Sequence, residues 1–296
     1  MAFAKGGNDE VSYLLNDVLP DGKGYVVMLK VYLDRGEKRD QNDCVMCVVA
    51  TVFKPSAYKQ FVRPWERMLR RWNASAFHAT DFYSGYDEFK RKGDPKREAR
   101  FQEDCRAIPT IVGENIERVL AVAFRPDEFV ARASLEWKDR FGVDTHAMAV
   151  QLCLVMNAWW LQKKSSTEYF AYFQEAGDES EGRITEAVRR LRNDPHYASL
   201  IRVKSFSSVT KGVARGTEAS DFVAWHWNKH AVERMGKGLE PRKDFVAFAR
   251  LTELQGKVQC AFITGKKLDR YFEVLERAFR AKLAAIPSVV YCPDDD

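Results

Sequence analysis

Three carboxylates stand at positions where an α/β fold usually presents a functional site. Asp34 and Glu175 each follow an apolar run of strand type, and Asp221 lies in a predicted helix after the last main strand. Ligand sites collect at strand ends and helix starts because the scaffold there is rigid while the adjoining loops are open. The sequence therefore makes these three residues candidates for a shared site.

The chemistry that these residues favour is the binding of a divalent metal ion. An acidic side chain beside Val-Tyr-Leu is costly to bury alone, and a shared cation offsets that cost. Carboxylate oxygens are hard ligands that select Mg²⁺ or Mn²⁺. Two such ions about 4 Å apart activate water and stabilise the leaving oxygen of a phosphodiester.

Each carboxylate also has a plainer interpretation. Asp34 has the residue type of a turn or of a helix cap. Glu175 is equally typical of a solvated loop acid, and Asp221 of a first-turn acid that the helix dipole favours. The residues alone leave these alternatives open.

Four short segments of the chain resemble motifs of one bacterial family in the same order. The family motifs are Tyr-x-Asp-Glu-Ser-Gly, His-Ala-x-acidic, an acid after a later strand, and a helix opening Leu-Gln-x-Ala-Asp-x-x-Ala. The matching segments here are residues 32–34, 77–82, 172–175 and 217–224. On these motifs the chain resembles the uncharacterised domain-of-unknown-function family 3800, which is similar to the RNase H-like superfamily.

The resemblance implies a metal-dependent nuclease whose metal ligands are Asp34, Glu175 and Asp221. It also places His78 and Asp81 beside them as catalytic candidates. A histidine in this position shuttles a proton or contacts phosphate, and the alternative is a purely structural histidine.

The chain departs from the family pattern at the motif that supplies the second acid. Arg35-Gly36-Glu37 replaces Glu-Ser-Gly, and Ser220 replaces the alanine before the helix aspartate. Glu218 is a candidate fourth ligand because it lies three residues before Asp221 on the same helix, and Asp178 is an alternative to it.

Three functions follow as hypotheses. The first is a nuclease that uses Mg²⁺ or Mn²⁺ and acts on DNA or RNA. The second is a catalytically silent RNase H-like module that binds nucleic acid or protein, which Arg35 favours because the family has an acid there. The third is an enzyme that acts on a small phosphorylated molecule.

Composition agrees with a globular domain and allows a polyanionic partner. The chain has 296 residues, 46% of them hydrophobic and 30% charged, with a formal net charge of +5. Basic residues precede the last acidic helix and are frequent in residues 84–97. In both places they suit either contact with a nucleic-acid backbone or a solvated loop.

The sequence has no run of about 18 apolar residues and no signal-peptide core, so we expect a cytoplasmic location and no membrane contact.

Other catalytic motifs are missing or weak. No phosphate-binding glycine loop and no nucleophile elbow occurs. Cys44 and Cys47 form a C-x-x-C inside an apolar strand pattern and have no second ligand pair, which argues against a zinc site. His226 and His230 have metal-ligand spacing, but packing roles are expected because no H-E-x-x-H pattern is present. Four tryptophans at helical spacing are likewise expected in the core: Trp159, Trp160, Trp225 and Trp227.

The predicted architecture is a mixed sheet with an antiparallel N-terminal hairpin, flanked by helices and carrying helical insertions. Residues 1–20 are predicted to be a flexible arm and residues 21–290 a single RNase H-like α/β domain. The hairpin strands are predicted over residues 25–34 and 44–53, with a charged turn over residues 35–43. Residues 77–82 are predicted as a loop or short strand, and two helices are predicted to close the chain.

Overall fold

A computed structural model describes residues 28–40, 43–135, 144–177, 179–193, 201–237 and 257–265, together with Lys138, Ala198 and Asp269. The predicted arm, the two closing helices and Asp178 lie outside these residues. Seven α-helices and six strands are present in the described ranges. The helices are α1 Pro55–Trp72, α2 Ala79–Ser84, α3 Pro95–Asn115, α4 Pro126–Arg132, α5 Thr145–Lys163, α6 Glu181–Asn193 and α7 Arg215–Lys237; the strands are β1 Met28–Asp40, β2 Asp43–Phe53, β3 Arg118–Phe124, β4 Tyr169–Glu175, β5 Val203–Val209 and β6 Val258–Ile263.

The strands form one mixed sheet in the order β5-β4-β1-β2-β3-β6. Strand β2 is antiparallel to both β1 and β3, whereas β1, β4 and β5 run parallel to one another. The fold class, a mixed α/β sheet with an N-terminal hairpin flanked by helices, is thus confirmed. Because β1, β4 and β5 share one direction, their carboxyl ends point to the same edge of the sheet.

Two apolar cores cover the two faces of the sheet. Helices α4, α5 and α6 pack on one face. Helices α1, α2, α3 and α7 pack on the other. Side chains alternate between the faces along each strand, so Tyr32 and Leu33 belong to different cores. A functional site at the sheet edge can therefore receive residues from both layers.

The first strand is longer than the sequence predicts, and the predicted charged turn over residues 35–43 is wrong. The hairpin register continues from Arg35 opposite Val48 to Asp40 opposite Asp43. Backbone pairing does not depend on side-chain polarity, so the charged segment stays extended against its long apolar partner. Asp34 consequently lies inside β1 and not at its end.

Residues 77–82 contain a helix, which also corrects the prediction. Helix α2 begins after His78 in extended conformation and ends at Gly85, whose φ is 71°. Strand β5 is predicted from the sequence over about residues 200–206 and lies three residues later.

Residues 84–97, which the sequence predicts to be exposed, are partly buried. Phe89 is in the core, and Arg91 donates hydrogen bonds to the carbonyls of Phe82 and Tyr83.

No helix in the described ranges combines the length and the apolar composition needed to cross a membrane.

Candidate functional site

A cavity of about 330 Å³ opens at the carboxyl end of β4, beside β1. Strands β4 and β5 stop at the paired residues Glu175 and Val209 while β1 continues to Asp40, so the sheet loses two strands at this point. Volumes of about 300–1,000 Å³ are typical of small-ligand sites. A larger depression of about 500 Å³ lies beside residues 84–98. Its charged lining residues are two basic and two acidic side chains, so it does not present a cluster of acids: Arg91, Lys92, Asp94 and Glu98.

The three predicted carboxylates all line the 330 Å³ cavity. Leu33 pairs with Gln174 in the parallel register of β1 and β4, which sets Asp34 and Glu175 next to each other at the following position. Both side chains point to the face covered by α7, from which Asp221 joins them. The sheet register and one helix therefore bring together residues that are far apart in sequence.

Helix α7 is held against β1 by an unusually close approach. A Cβ atom on Gly216 would overlap the ring of Tyr32, so only glycine fits at this crossing. One turn later, the buried hydroxyl of Ser220 donates to the carbonyl of Tyr32 at 2.9 Å and lies 2.6 Å from the hydroxyl of Thr51. These contacts fix the position of Asp221, the next residue, relative to Asp34.

The sequence did not predict that an ammonium group lies among these carboxylates. Lys211 Nζ donates to Asp221 Oδ2 at 2.9 Å and forms an ion pair with Glu175 Oε2 at 3.3 Å. The side chain lies in a turn before α7 and is 12% exposed. Its sequence signal is its place among the basic residues that precede the last acidic helix, where they were predicted to suit a nucleic-acid backbone.

The charges in the cavity perturb one another. Burial and the neighbouring carboxylates of Asp221 and Glu175 raise the pKa of Asp34 well above its ordinary value, and Lys211 only partly offsets this. Burial lowers the pKa of Lys211, but the carboxylates of Asp221, Asp34 and Glu175 outweigh burial and raise it. The lysine is thus firmly charged, and the three acids exceed its single charge.

The opposite wall of the cavity has a different chemistry. Arg35, His146 and Gln174 line it, together with Val150 of α5. Arg35 points to this side because neighbouring strand residues alternate, and its backbone N–H donates to the carboxylate of Asp34. A guanidinium and an imidazole facing a carboxylate cluster across one cavity suit a ligand that carries phosphate.

His78 lies at the rim of the acidic wall. Its Nδ1 is 2.9 Å from Lys211 Nζ and 3.9 Å from Asp221 Oδ2, and its side chain is 49% exposed. The backbone N–H of Ala79 also donates to Asp221 Oδ2, which ties α2 to α7. Asp81 is in the first turn of α2 and is not among the cavity-lining residues.

Glu218 is directed away from the cavity. Its fully buried carboxylate accepts hydrogen bonds from Trp65 Nε1 at 2.6 Å and Arg215 Nη1 at 2.7 Å. Burial raises its pKa, while Arg215, Trp65 and the backbone N–H of Phe77 act in the opposite direction. The residue joins α7 to α1 and to the segment that carries His78, so the structure does not bring it to Asp34, Glu175 and Asp221.

The remaining candidates occupy packing positions. His226 and His230 are nearly buried, and His226 Nε2 is 2.9 Å from the hydroxyl of Tyr83. Cys44 and Cys47 lie on opposite faces of β2 because they are three residues apart in a strand.

Within the described ranges, no three His, Cys, Asp or Glu side chains stand ready as a preformed ligand set for a metal ion. The carboxylates of the cavity are grouped around Lys211 instead. Their oxygen chemistry and surplus negative charge nevertheless fit a hard divalent cation.

Comparison with protein-family models, with curated proteins and with solved structures finds no match for this chain.

Proposed function

We propose that this protein is a divalent-metal-dependent phosphodiester hydrolase of RNase H-like type that acts on nucleic acid, as its resemblance to family 3800 implies. The observation that carries the proposal is the meeting of Asp34, Glu175 and Asp221 in one cavity at the sheet edge. These residues come from β1, β4 and the helix after β5. The mixed sheet with its antiparallel hairpin agrees with the proposed fold family.

Asp34, Glu175 and Asp221 would hold Mg²⁺ or Mn²⁺, and a bound ion would polarise a phosphoryl oxygen and activate water. The raised pKa of Asp34 supports this assignment, since a buried acid among other acids gains most from an added cation. Glu218 and Asp81 are not in the proposed ligand set because their side chains do not line the cavity.

The other residues of the cavity would handle the substrate. Arg35 offers a planar guanidinium that matches a phosphate group, and it does so from the wall opposite the carboxylates. His78, half exposed at the rim, is placed to contact a phosphate or to accept a proton near Asp221. Arg35 therefore serves substrate binding in this proposal, although it stands where the family has an acid.

A second candidate function is a catalytically silent module that binds nucleic acid or protein. The ion pairs of Lys211 favour it, because an ammonium at 2.9 Å from Asp221 and 3.3 Å from Glu175 neutralises part of the cluster without any metal. Such a module binds its partner with no metal-dependent turnover and is insensitive to Asp34→Asn.

The test is cleavage of labelled single- and double-stranded DNA and RNA in Mn²⁺, by the wild type and by Asp34→Asn and Asp221→Asn. The proposal predicts cleavage by the wild type and a loss of at least about 100-fold in each variant, the scale of removing a group that stabilises transition-state charge. Glu179→Gln is the matched control, because Glu179 is exposed and lies near Glu175 in sequence.

The control variant should cleave like the wild type. Full activity in both aspartate variants would rule out the proposed site. Nucleic-acid binding without cleavage under any of these conditions would favour the silent module.

A further inference from the structure

The position of Lys211 is set by the backbone and not only by its charge. Residues 210–213 form a turn in which the N–H of Val213 donates to the carbonyl of Thr210 at 3.1 Å. Gly212 has a φ of 87°, as the third residue of a type II turn requires. The turn fixes Lys211 between β5 and α7, on the side of the cavity where Asp221 and Glu175 meet.

The ammonium is bound from several directions. It has hydrogen bonds to Asp221 Oδ2 and to His78 Nδ1, both at 2.9 Å, and the ion pair to Glu175 Oε2 at 3.3 Å. A lysine ammonium has three donors, so these three contacts engage all of them. The Lys211 ammonium is therefore held in the cavity by its contacts and is not a mobile surface charge.

The cluster has more negative charge than Lys211 compensates. Asp34 lines the same cavity and interacts electrostatically with Lys211, Asp221 and Glu175. Binding of a metal ion requires its carboxylate ligands to be ionised. In that state the three carboxylates and the ammonium have a formal charge of −2, which a single divalent ion balances. In two-metal sites the ions lie about 4 Å apart. A second divalent ion at that distance would lie beside the ammonium and be repelled by its positive charge.

We infer that the Lys211 ammonium is a resident cation of the acidic cluster, which takes the place of a second metal ion and limits the site to one divalent ion. The inference rests on the proposed function, because it concerns the metal site proposed above. Lys211 acts here as a positioning residue that holds Glu175 and Asp221 together beside Asp34, so that the three carboxylates share one ion.

The experiment counts bound Mn²⁺ by electron paramagnetic resonance of the free ion, in the presence of thymidine 5′-monophosphate as a phosphate source. The wild type is compared with Lys211→Met, which keeps the length of the side chain and removes its charge, and with Lys211→Gln. The matched control is Lys204→Met, because Lys204 is an exposed lysine of β5 whose ammonium lies over the ring of Tyr169 at 4.5 Å.

The inference predicts one Mn²⁺ per chain in the wild type and in Lys204→Met. It predicts that both Lys211 variants bind the first ion at least tenfold more tightly or take up a second ion with the spin coupling of an adjacent pair. Circular dichroism of each variant confirms that the fold is kept, and the conclusion is taken from whichever Lys211 variant is folded.

Two results would overturn this inference without contradicting the proposed metal site. One is two bound Mn²⁺ in the wild type, and the other is a Lys211 variant that matches the wild type in both number and affinity. The absence of Mn²⁺ binding in the wild type and in the folded Lys211 variants is a different outcome, because it would contradict the proposed metal site itself.

Discussion

At the level of single residues, the distinctive feature of the cavity is a group of charges that the fold brings close together. Asp34, Glu175 and Asp221 share one cavity with Lys211, and the raised pKa of Asp34 records how poorly an added negative charge is tolerated there. Structural acids at strand ends are usually solvated or act as caps. The grouping of three acids around one lysine is what distinguishes this place from an ordinary turn.

The raised pKa of Asp34 makes a prediction about stability. A carboxyl group with a raised pKa in the folded protein contributes stability that is full below the unfolded value of about 3.9 and is lost as the pH rises through the folded value. Asp34→Asn removes this loss. In the absence of divalent metal, the variant should therefore unfold at a higher temperature than the wild type at pH 8, by about 2–4 °C per kcal/mol gained.

The measurement is thermal unfolding in EDTA at several pH values between 4 and 8, with Glu179→Gln as the exposed control. The difference between Asp34→Asn and the wild type should shrink as the pH falls towards about 4. A variant that is less stable than the wild type at pH 8, or a difference that does not change with pH, would show that Asp34 is not strained in the folded state.

The predictability of the site differs from residue to residue. Asp34 and Glu175 were predictable as candidates for one site because each follows an apolar run of strand type, whereas the position of Asp34 inside β1 was not predictable. The place of Lys211 was not predictable either, since it depends on a turn and on the close approach of α7. Glu218 and Asp221 are three residues apart, yet Glu218 accepts a hydrogen bond from Trp65 of α1 whereas Asp221 lines the cavity at the sheet edge.

At the scale of elements, the contact between α7 and β1 decides whether the site exists. The ring of Tyr32 occupies the space where any side chain at position 216 would begin, and Ser220 donates to the Tyr32 carbonyl one turn further along. These contacts fix the position of α7 along β1. Packing therefore places the carboxylate of Asp221 beside Asp34 and Glu175 before any ligand binds.

Gly216→Ala tests this positioning. The added methyl group must displace the Tyr32 ring or move α7, and overpacking of this kind costs about 1–3 kcal/mol. The variant should lose that much stability in urea unfolding and should bind Mn²⁺ more weakly, because Asp221 moves away from Asp34. Gly182→Ala in α6 is the matched control, since a Cβ there meets no atom within 4 Å.

The control should gain up to about 1 kcal/mol, because alanine is the better helix former. Equal stability of Gly216→Ala and the wild type, with unchanged Mn²⁺ affinity, would contradict the account of how α7 is positioned.

The elements themselves were mostly readable from the sequence. Apolar residues at helical spacing over residues 58–72 predict α1, and the apolar run over residues 119–124 predicts β3, both nearly as found. The end of β1 was not predicted, because pairing with β2 overrides the polarity of the charged segment after Asp34. Helix α2 was missed because six residues are too few to show a period.

At the scale of the whole molecule, the site is built where two helical layers and the end of a strand meet. One layer supplies Asp221 and the other supplies His146, while β1 reaches the cavity from both of its faces. A cavity of about 330 Å³ that combines acids on one wall with Arg35 on the other is suited to a charged unit such as one nucleotide of a strand.

The net charge of +5 leads to a prediction about the substrate. If the partner is a nucleic-acid strand, binding releases counterions, and with about three phosphate contacts the affinity falls roughly 20-fold between 50 and 200 mM salt. Fluorescence anisotropy with a labelled single-stranded oligonucleotide in EDTA measures this dependence. Turnover of free nucleotides without salt-dependent binding of the polymer would point to a small phosphorylated substrate instead.

Whether Asp34, Glu175 and Asp221 hold a divalent ion is measured by calorimetric titration of Mn²⁺ into the wild type and into Asp221→Asn. Thymidine 5′-monophosphate is present throughout, so that an ion requiring phosphate also binds. We expect saturable binding by the wild type and affinity at least about tenfold lower in the variant, since each protein ligand matters when so few are present. Equal binding by both proteins, or none by the wild type, would contradict the proposed metal site.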